Sequence, residues 1–135
     1  MTIAEQIEQF LRSEAFGVVG ASNRRHKYGN KVLRCYQQHG RRAIPVHPFE
    51  KEIEGEAVVA SVAELPDSVQ SISLITPPQI TEKIVVQAAA AGIKNIWMQP
   101  GAESSAAVEY CRQQGLNVIA GGSCVLVVLG YSEGH

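Results

Sequence analysis

With 135 residues the chain has the length of one domain, enough to bury a full core without disulfide or metal staples. Apolar side chains make up 45% and charged ones 19%, which excludes a disordered chain, and no run nears the ~20 apolar residues of a membrane span. Three cysteines without a CxxC pair exclude a disulfide framework and point to a reducing cytoplasm, while a net charge of −1 names no partner.

Thr2 and Glu5 match a capping box, and Ile3, Ile7, Phe10 and Leu11 recur at helical spacing, so a helix is expected over residues 2–13. Glu5 and Glu8 in this amphipathic stretch fit neither a signal nor a transit peptide. Residues 16–20, a short apolar run between glycines, read as a buried strand. A polar loop then reaches Gly29. Residues 30–39 read as a helix with Val32, Leu33 and Tyr36 on one face, and Gly40 as its stop. The second strand, residues 42–47, carries Pro45, which cannot donate to a ladder and prefers an edge. A polar stretch over 48–56 and a short helix around 61–65 lead to a third strand, 71–75.

Thr76-Pro-Pro-Gln79 then opens a helix, with the threonine as cap, proline in the first turn and glutamine as capping-box partner. Gly92 stops it. A fourth strand over 95–98, a helix over 103–114 ended by Gly115, and a fifth strand over 116–120 complete the series. Residues 121–129 form an apolar tail that can pack on the sheet or meet another subunit.

Strands alternating with helices imply right-handed crossovers and a parallel sheet. The expected fold is α/β: a single Rossmann-like domain over residues 1–135, its five-stranded doubly wound sheet in the order 3-2-1-4-5 with helices on both faces. Ligands of such sheets bind outside the carboxyl ends of the strands where the order reverses. That selects the loops 20–29 and 99–103, with Thr76-Pro-Pro and His47-Pro48 on the same rim.

The rim chemistry points to an anion. Gly20-Ala21-Ser22 ends a strand ahead of a helix, where a glycine lets backbone approach a phosphate and helix N–H groups lie open. Arg24, Arg25 and Lys27 belong to a cluster of seven cations between residues 24 and 42, and no acid falls between Glu14 and Glu50. A small anionic ligand accounts for this field, and so does a solvated helix face. No G-x-G-x-x-G or P-loop is present, and His47 stands where a site for NAD wants a carboxylate, which leaves NADP and coenzyme A. The amides of Gly101, Ala102 and Glu103 form a second candidate nest.

Catalytic groupings are scarce. The histidines (His26, His39, His47, His135) show no metal spacing, and no G-x-S-x-G elbow occurs. Glu103 reads as a helix-dipole partner and Cys124 as an inert thiol. A basic loop without a helical or aromatic sheet motif does not describe a nucleic-acid binder.

Gly20-Ala-Ser22, Val46-His-Pro48, Thr76-Pro-Pro78 and Gln99-Pro-Gly-Ala-Glu-Ser104, in this order and spacing, resemble the stand-alone CoA-binding domain proteins. These are similar to the N-terminal nucleotide-binding domain of the succinyl-CoA synthetase α subunit. The resemblance implies a Rossmann-like domain binding coenzyme A. Gly20, Ala21 and Ser22 would face the pyrophosphate, assisted by Lys27 or a neighbouring arginine such as Arg24. His47 and Pro48 would lie by the ribose and its phosphate, Thr76, Pro77 and Pro78 by the adenine or pantetheine, and Gln99, Pro100, Gly101 and Ala102 on the opposite side. His47 departs from the asparagine common in the family, and the tail is more apolar than usual. The synthetases' phosphohistidine belongs to a second domain, so the expected role is a cytoplasmic CoA-binding module without catalysis, as a homo-oligomer or with a partner subunit. An NADP-linked or acyl-CoA-handling enzyme working with a partner is the alternative, and a redox scaffold pairing a cysteine with the CoA thiol is a third reading.

Overall fold

The computed structural model describes residues 1–133. His135, among the histidines considered above, lies outside the described residues. Thr2 caps α1 (Ile3–Leu11) through the expected box: its hydroxyl accepts from the Glu5 N–H at 3.2 Å, and the Glu5 carboxylate accepts from the Thr2 N–H at 3.0 Å. β1 (Ala15–Val19), α2 (Tyr28–Gln38) and β2 (Arg42–Val46) follow. The polar stretch after β2 contains an unexpected hairpin, β3 (Glu52–Ile53) and β4 (Glu56–Ala57). Its two turn residues, Glu54 and Gly55, both have positive φ (48° and 81°), the backbone of a tight hairpin turn. Glu-Gly is a weaker turn signal than Asn-Gly, so in the sequence this hairpin reads only as part of a polar stretch.

A 3-10 turn (Val62–Glu64) precedes β5 (Val69–Leu74), α3 (Pro78–Ala90), β6 (Asn95–Met98), α4 (Ser105–Gln113), β7 (Asn117–Ile119) and the short α5 (Val125–Leu129). Pro78 occupies the first position of α3, as proline favours. The predicted Thr76–Gln79 capping box does not form. Pro77 is the N-cap and cannot cap with a side chain, while the Thr76 hydroxyl pairs with that of Thr81 at 2.7 Å. At α4 the cap is Ser104, which accepts from the Ala107 N–H.

Five strands form one parallel sheet, flanked by α1, α2 and α5 on one face and by α3 and α4 on the other. The doubly wound α/β class is as expected, but the strand order needs correction. The sheet runs β2-β1-β5-β6-β7, so the third long strand lies between the first and the fourth, not outside the second. Pro45 supplies the reason. Its carbonyl faces away from β1 and accepts from the Val59 N–H at 3.1 Å, so the missing N–H falls on the outer side. No full strand could pair there, and β2 is an edge. β5 has Ser71 through Leu74 all buried, as a central strand requires.

Beneath α1 and α2 the core is aromatic. Phe16 stacks on Tyr36 at 4.8 Å between ring centroids, and Phe10 meets Trp97 edge-on at 5.2 Å. The Trp97 indole donates to the Ser123 carbonyl at 2.9 Å, which holds the loop before α5 against the sheet. Thus the apolar tail packs on α2 through Val125, Leu126 and Leu129, while Val127 stays 81% exposed. Among the described residues no helix is long and apolar enough to cross a membrane.

Candidate functional site

The corrected order moves the reversal point to the gap between β1 and β5, where loop 20–27 faces Ile75, Thr76 and Pro77. A groove of about 610 Å³ opens there. It gathers eight of the predicted residues: Gly20, Ala21, Ser22, Lys27, His47, Pro48, Thr76 and Pro77. Its shape depends on two glycines. Gly20 has φ +94°, and a Cβ on it would overlap the Ile75 carbonyl oxygen. A Cβ on Gly29, in the first turn of α2, would overlap the Gly20 carbonyl oxygen. Strand end and helix start therefore touch backbone to backbone, and only glycine permits it. Lys27, the N-cap of α2, makes no side-chain cap, so first-turn N–H groups remain for a ligand.

A buried polar network holds the loop. Asn30, fully buried, donates to the Ser22 carbonyl at 2.8 Å and to the Glu54 carboxylate at 3.0 Å. Its own carbonyl oxygen accepts from Arg34 Nε at 2.6 Å, and Arg34 Nη2 donates to the Arg25 carbonyl at 2.7 Å. Arg25 in turn donates to Glu54 at 3.2 and 3.3 Å. The β3–β4 hairpin, missed in the sequence, is what delivers Glu54 to this network. The basic cluster thus divides between the two readings. Arg25 and Arg34 are structural, Lys27 lines the groove, and Arg24 lies outside it, its backbone N–H donating to Ser22 Oγ at 3.0 Å.

The Asn30 amide, then the Arg25 guanidinium, hold the Glu54 carboxyl below its ordinary value of 4.5. A lowered folded pKa means stability present above the unfolded value and lost as pH falls through the folded one. Stability of the wild type measured from pH 6 downwards should therefore exceed that of Glu54→Gln, and the gap should close below about pH 4.5. A gap unchanged in acid would dissociate Glu54 from the loop.

His47 Nδ1 accepts from the N–H groups of Phe49 (3.0 Å) and Glu50 (3.1 Å). The proton of the neutral ring therefore sits on Nε2, leaving a donor at a groove-lining residue.

Other predicted residues lie elsewhere. Pro78 begins α3 and does not line the groove. The proposed nest at 101–103 is closed by its own chain: Gly101 N–H donates to the Glu103 carboxylate and Ala102 N–H to the Gln99 carbonyl, both at 2.9 Å. Ala102 is core. Gln99 and Pro100 line a second, apolar cavity of about 420 Å³, which shares Tyr28 and Ile75 with the groove and extends to Cys124 and Leu126. One inserted strand, β5, separates these two residues from the glycine loop. The sequence reading missed His26, Tyr28, Gly29 and Ile75 in the groove. A glycine in the first turn of a helix, where alanine would be a better helix former, was the available signal for Gly29. Cys35 and Cys111 are buried, which raises each thiol to about 11 and makes it inert, whereas Cys124 is half-buried on the cavity wall. No cluster of ligating side chains among the described residues could hold a metal.

A parallel doubly wound sheet with an unblocked helix start and glycine loop at its reversal point is the architecture shared by nucleotide-binding α/β domains. The chain belongs to the CoA binding domain family, whose profile matches residues 14–130. A conserved hypothetical protein from Pyrococcus furiosus has a similar structure, with 36% identity and a TM-score of 0.82 over 85% of this chain and 98% of that one. The α subunit of an ADP-forming acetate–CoA ligase II from Pyrococcus furiosus is 24% identical over 88% of this chain. A trans-feruloyl-CoA synthase from an unknown prokaryotic organism is 30% identical over 82%. The chain spans only 28% and 16% of these two curated relatives.

Proposed function

We propose that this chain binds coenzyme A in the groove between β1 and β5 and holds it without chemistry of its own. The backbone contact of Gly20 with Gly29 carries this reading, because it leaves a shallow cradle at an uncapped helix start, suited to a pyrophosphate. Lys27 supplies a cation at the same place, and the His47 Nε2–H supplies a donor for a ribose phosphate. Tyr28 and Ile75 continue the groove towards the apolar cavity, where a pantetheine arm finds room. The family membership supports the same ligand.

Thermal unfolding against coenzyme A, dephospho-CoA, NADP and NAD tests it. At a hundredfold excess over its dissociation constant the true ligand adds about 2.7 kcal/mol, a shift of several degrees for this size. Coenzyme A is expected to stabilise well above dephospho-CoA, and NAD not at all. Stabilisation by NADP alone would transfer the groove to a nicotinamide cofactor and make a hydride-transferring partner the next object of search.

A further inference from the structure

Tyr28, the first residue of α2, is 65% exposed and lies where two hollows meet. It lines the groove beside Gly20 and Lys27, and it lines the apolar cavity beside Val32 and Leu126. Among the described residues Ile75 alone shares this double position. An exposed tyrosine ordinarily samples several rotamers. Here Lys31, on the neighbouring turn of the helix, sets its Nζ over the ring at 5.8 Å from the centroid. This cation–π contact covers one face of the ring and restrains it, leaving the other for the junction of groove and cavity. The Cys124 thiol and the Gln99 amide, whose Oε1 accepts from the Val125 N–H at 3.1 Å, belong to the cavity wall and not to the junction.

The proposed pyrophosphate cradle fixes what must pass this ring. Lys27 and Gly29, the chain neighbours of Tyr28, both belong to the cradle, so Tyr28 stands against the group that follows the phosphates. In coenzyme A that group is a methylene and then a carbon bearing two methyls, whereas in a dinucleotide a ribose follows. An aromatic face gains by burying methyls and leaves ribose hydroxyls without hydrogen bonds. Resting on the coenzyme A reading, we infer that Tyr28 selects the ligand by this dimethyl carbon, which packs on the free face of its ring. Lys31 is a positioning residue that holds the ring in place.

Calorimetric titration of the full chain tests this with coenzyme A, a coenzyme A analogue lacking the two methyls, and the adenosine bisphosphate half of coenzyme A alone. The wild type should bind coenzyme A about tenfold more tightly than the analogue, the effect of burying two methyl groups. Tyr28→Ala should erase that difference and leave the adenosine half binding as before, while Tyr28→Phe keeps the difference. Lys31→Ala should weaken coenzyme A by about threefold in the wild type and add nothing in Tyr28→Ala. Equal affinity of the wild type for coenzyme A and the analogue would overturn the Tyr28 assignment, and that comparison needs no variant to fold. So would a parallel loss of coenzyme A and the adenosine half in Tyr28→Ala, or a loss in Tyr28→Phe as large as in Tyr28→Ala. A Lys31→Ala effect that persists in Tyr28→Ala would overturn the positioning role and put the ammonium on the ligand itself. Failure of all three compounds to bind the wild type would instead overturn the coenzyme A reading.

Discussion

Gly29→Ala is expected to cost about 1–3 kcal/mol of folding stability and to abolish stabilisation by coenzyme A. The added methyl would overlap the Gly20 carbonyl oxygen, a backbone atom that cannot rotate away. Either the first turn of α2 moves off the strand end, or the loop from 20 to 27 lifts. Both movements open the cradle where the proposed pyrophosphate lies, so stability and binding fall together. Gly17→Ala is the matched control. There the methyl would meet Ile72 Cγ2 at 2.8 Å and Leu65 Cδ1 at 3.0 Å, side-chain atoms beneath the sheet and away from the groove. Urea unfolding should show a loss for both variants, and the thermal shift with coenzyme A should survive only in Gly17→Ala. Retention of the full shift in Gly29→Ala would contradict the cradle.

Asn30→Leu should be at least as damaging, losing about 2–4 kcal/mol, since several groups are stranded at 1–3 kcal/mol each. Leucine keeps the branching of the side chain but removes both the donor and the acceptor of the amide. Arg34 Nε, on a residue only 8% exposed, loses its 2.6 Å partner, and the Ser22 carbonyl loses its donor. Glu54 keeps Arg25 but loses the amide that contributes most to its acidity. Because Ser22 and Arg25 bracket the loop, its geometry should loosen before the sheet does. Amide hydrogen exchange should therefore rise across residues 22–29 while β5 and β6 stay protected. Uniform acceleration across the chain would instead mark Asn30 as a purely global stabiliser.

Much of this architecture was legible in the chain. Helix–Gly–strand punctuation at Gly40, Gly92 and Gly115 and the buried apolar runs sufficed for five parallel strands with helices between them. Pro45 even carried the clue to the order, because a proline that cannot donate marks an edge, although 3-2-1-4-5 placed its strand inside the sheet. Eight of the fourteen predicted site residues share one groove, since rim position follows from strand ends alone. Four of the remaining six lie outside the groove for one reason. Gln99 and Pro100 border a different cavity, and Gly101 and Ala102 are satisfied within their own turn, because the intervening strand separates that loop from the glycine loop.

Local rules acting over three to seven residues determined the elements, the cap of α1 and the edge of the sheet that carries the groove. Those rules operate through hydrogen bonds and periodicity that neighbouring residues define among themselves. Contacts between residues distant in the chain decided the rest: which strand fills the gap beside β1, how Glu54 reaches Asn30 across 24 positions, and how Val125 pins one end of Gln99 and leaves the other unpaired. Burial and pairing of this kind depend on which surfaces meet in space, and only the packed tertiary structure specifies that.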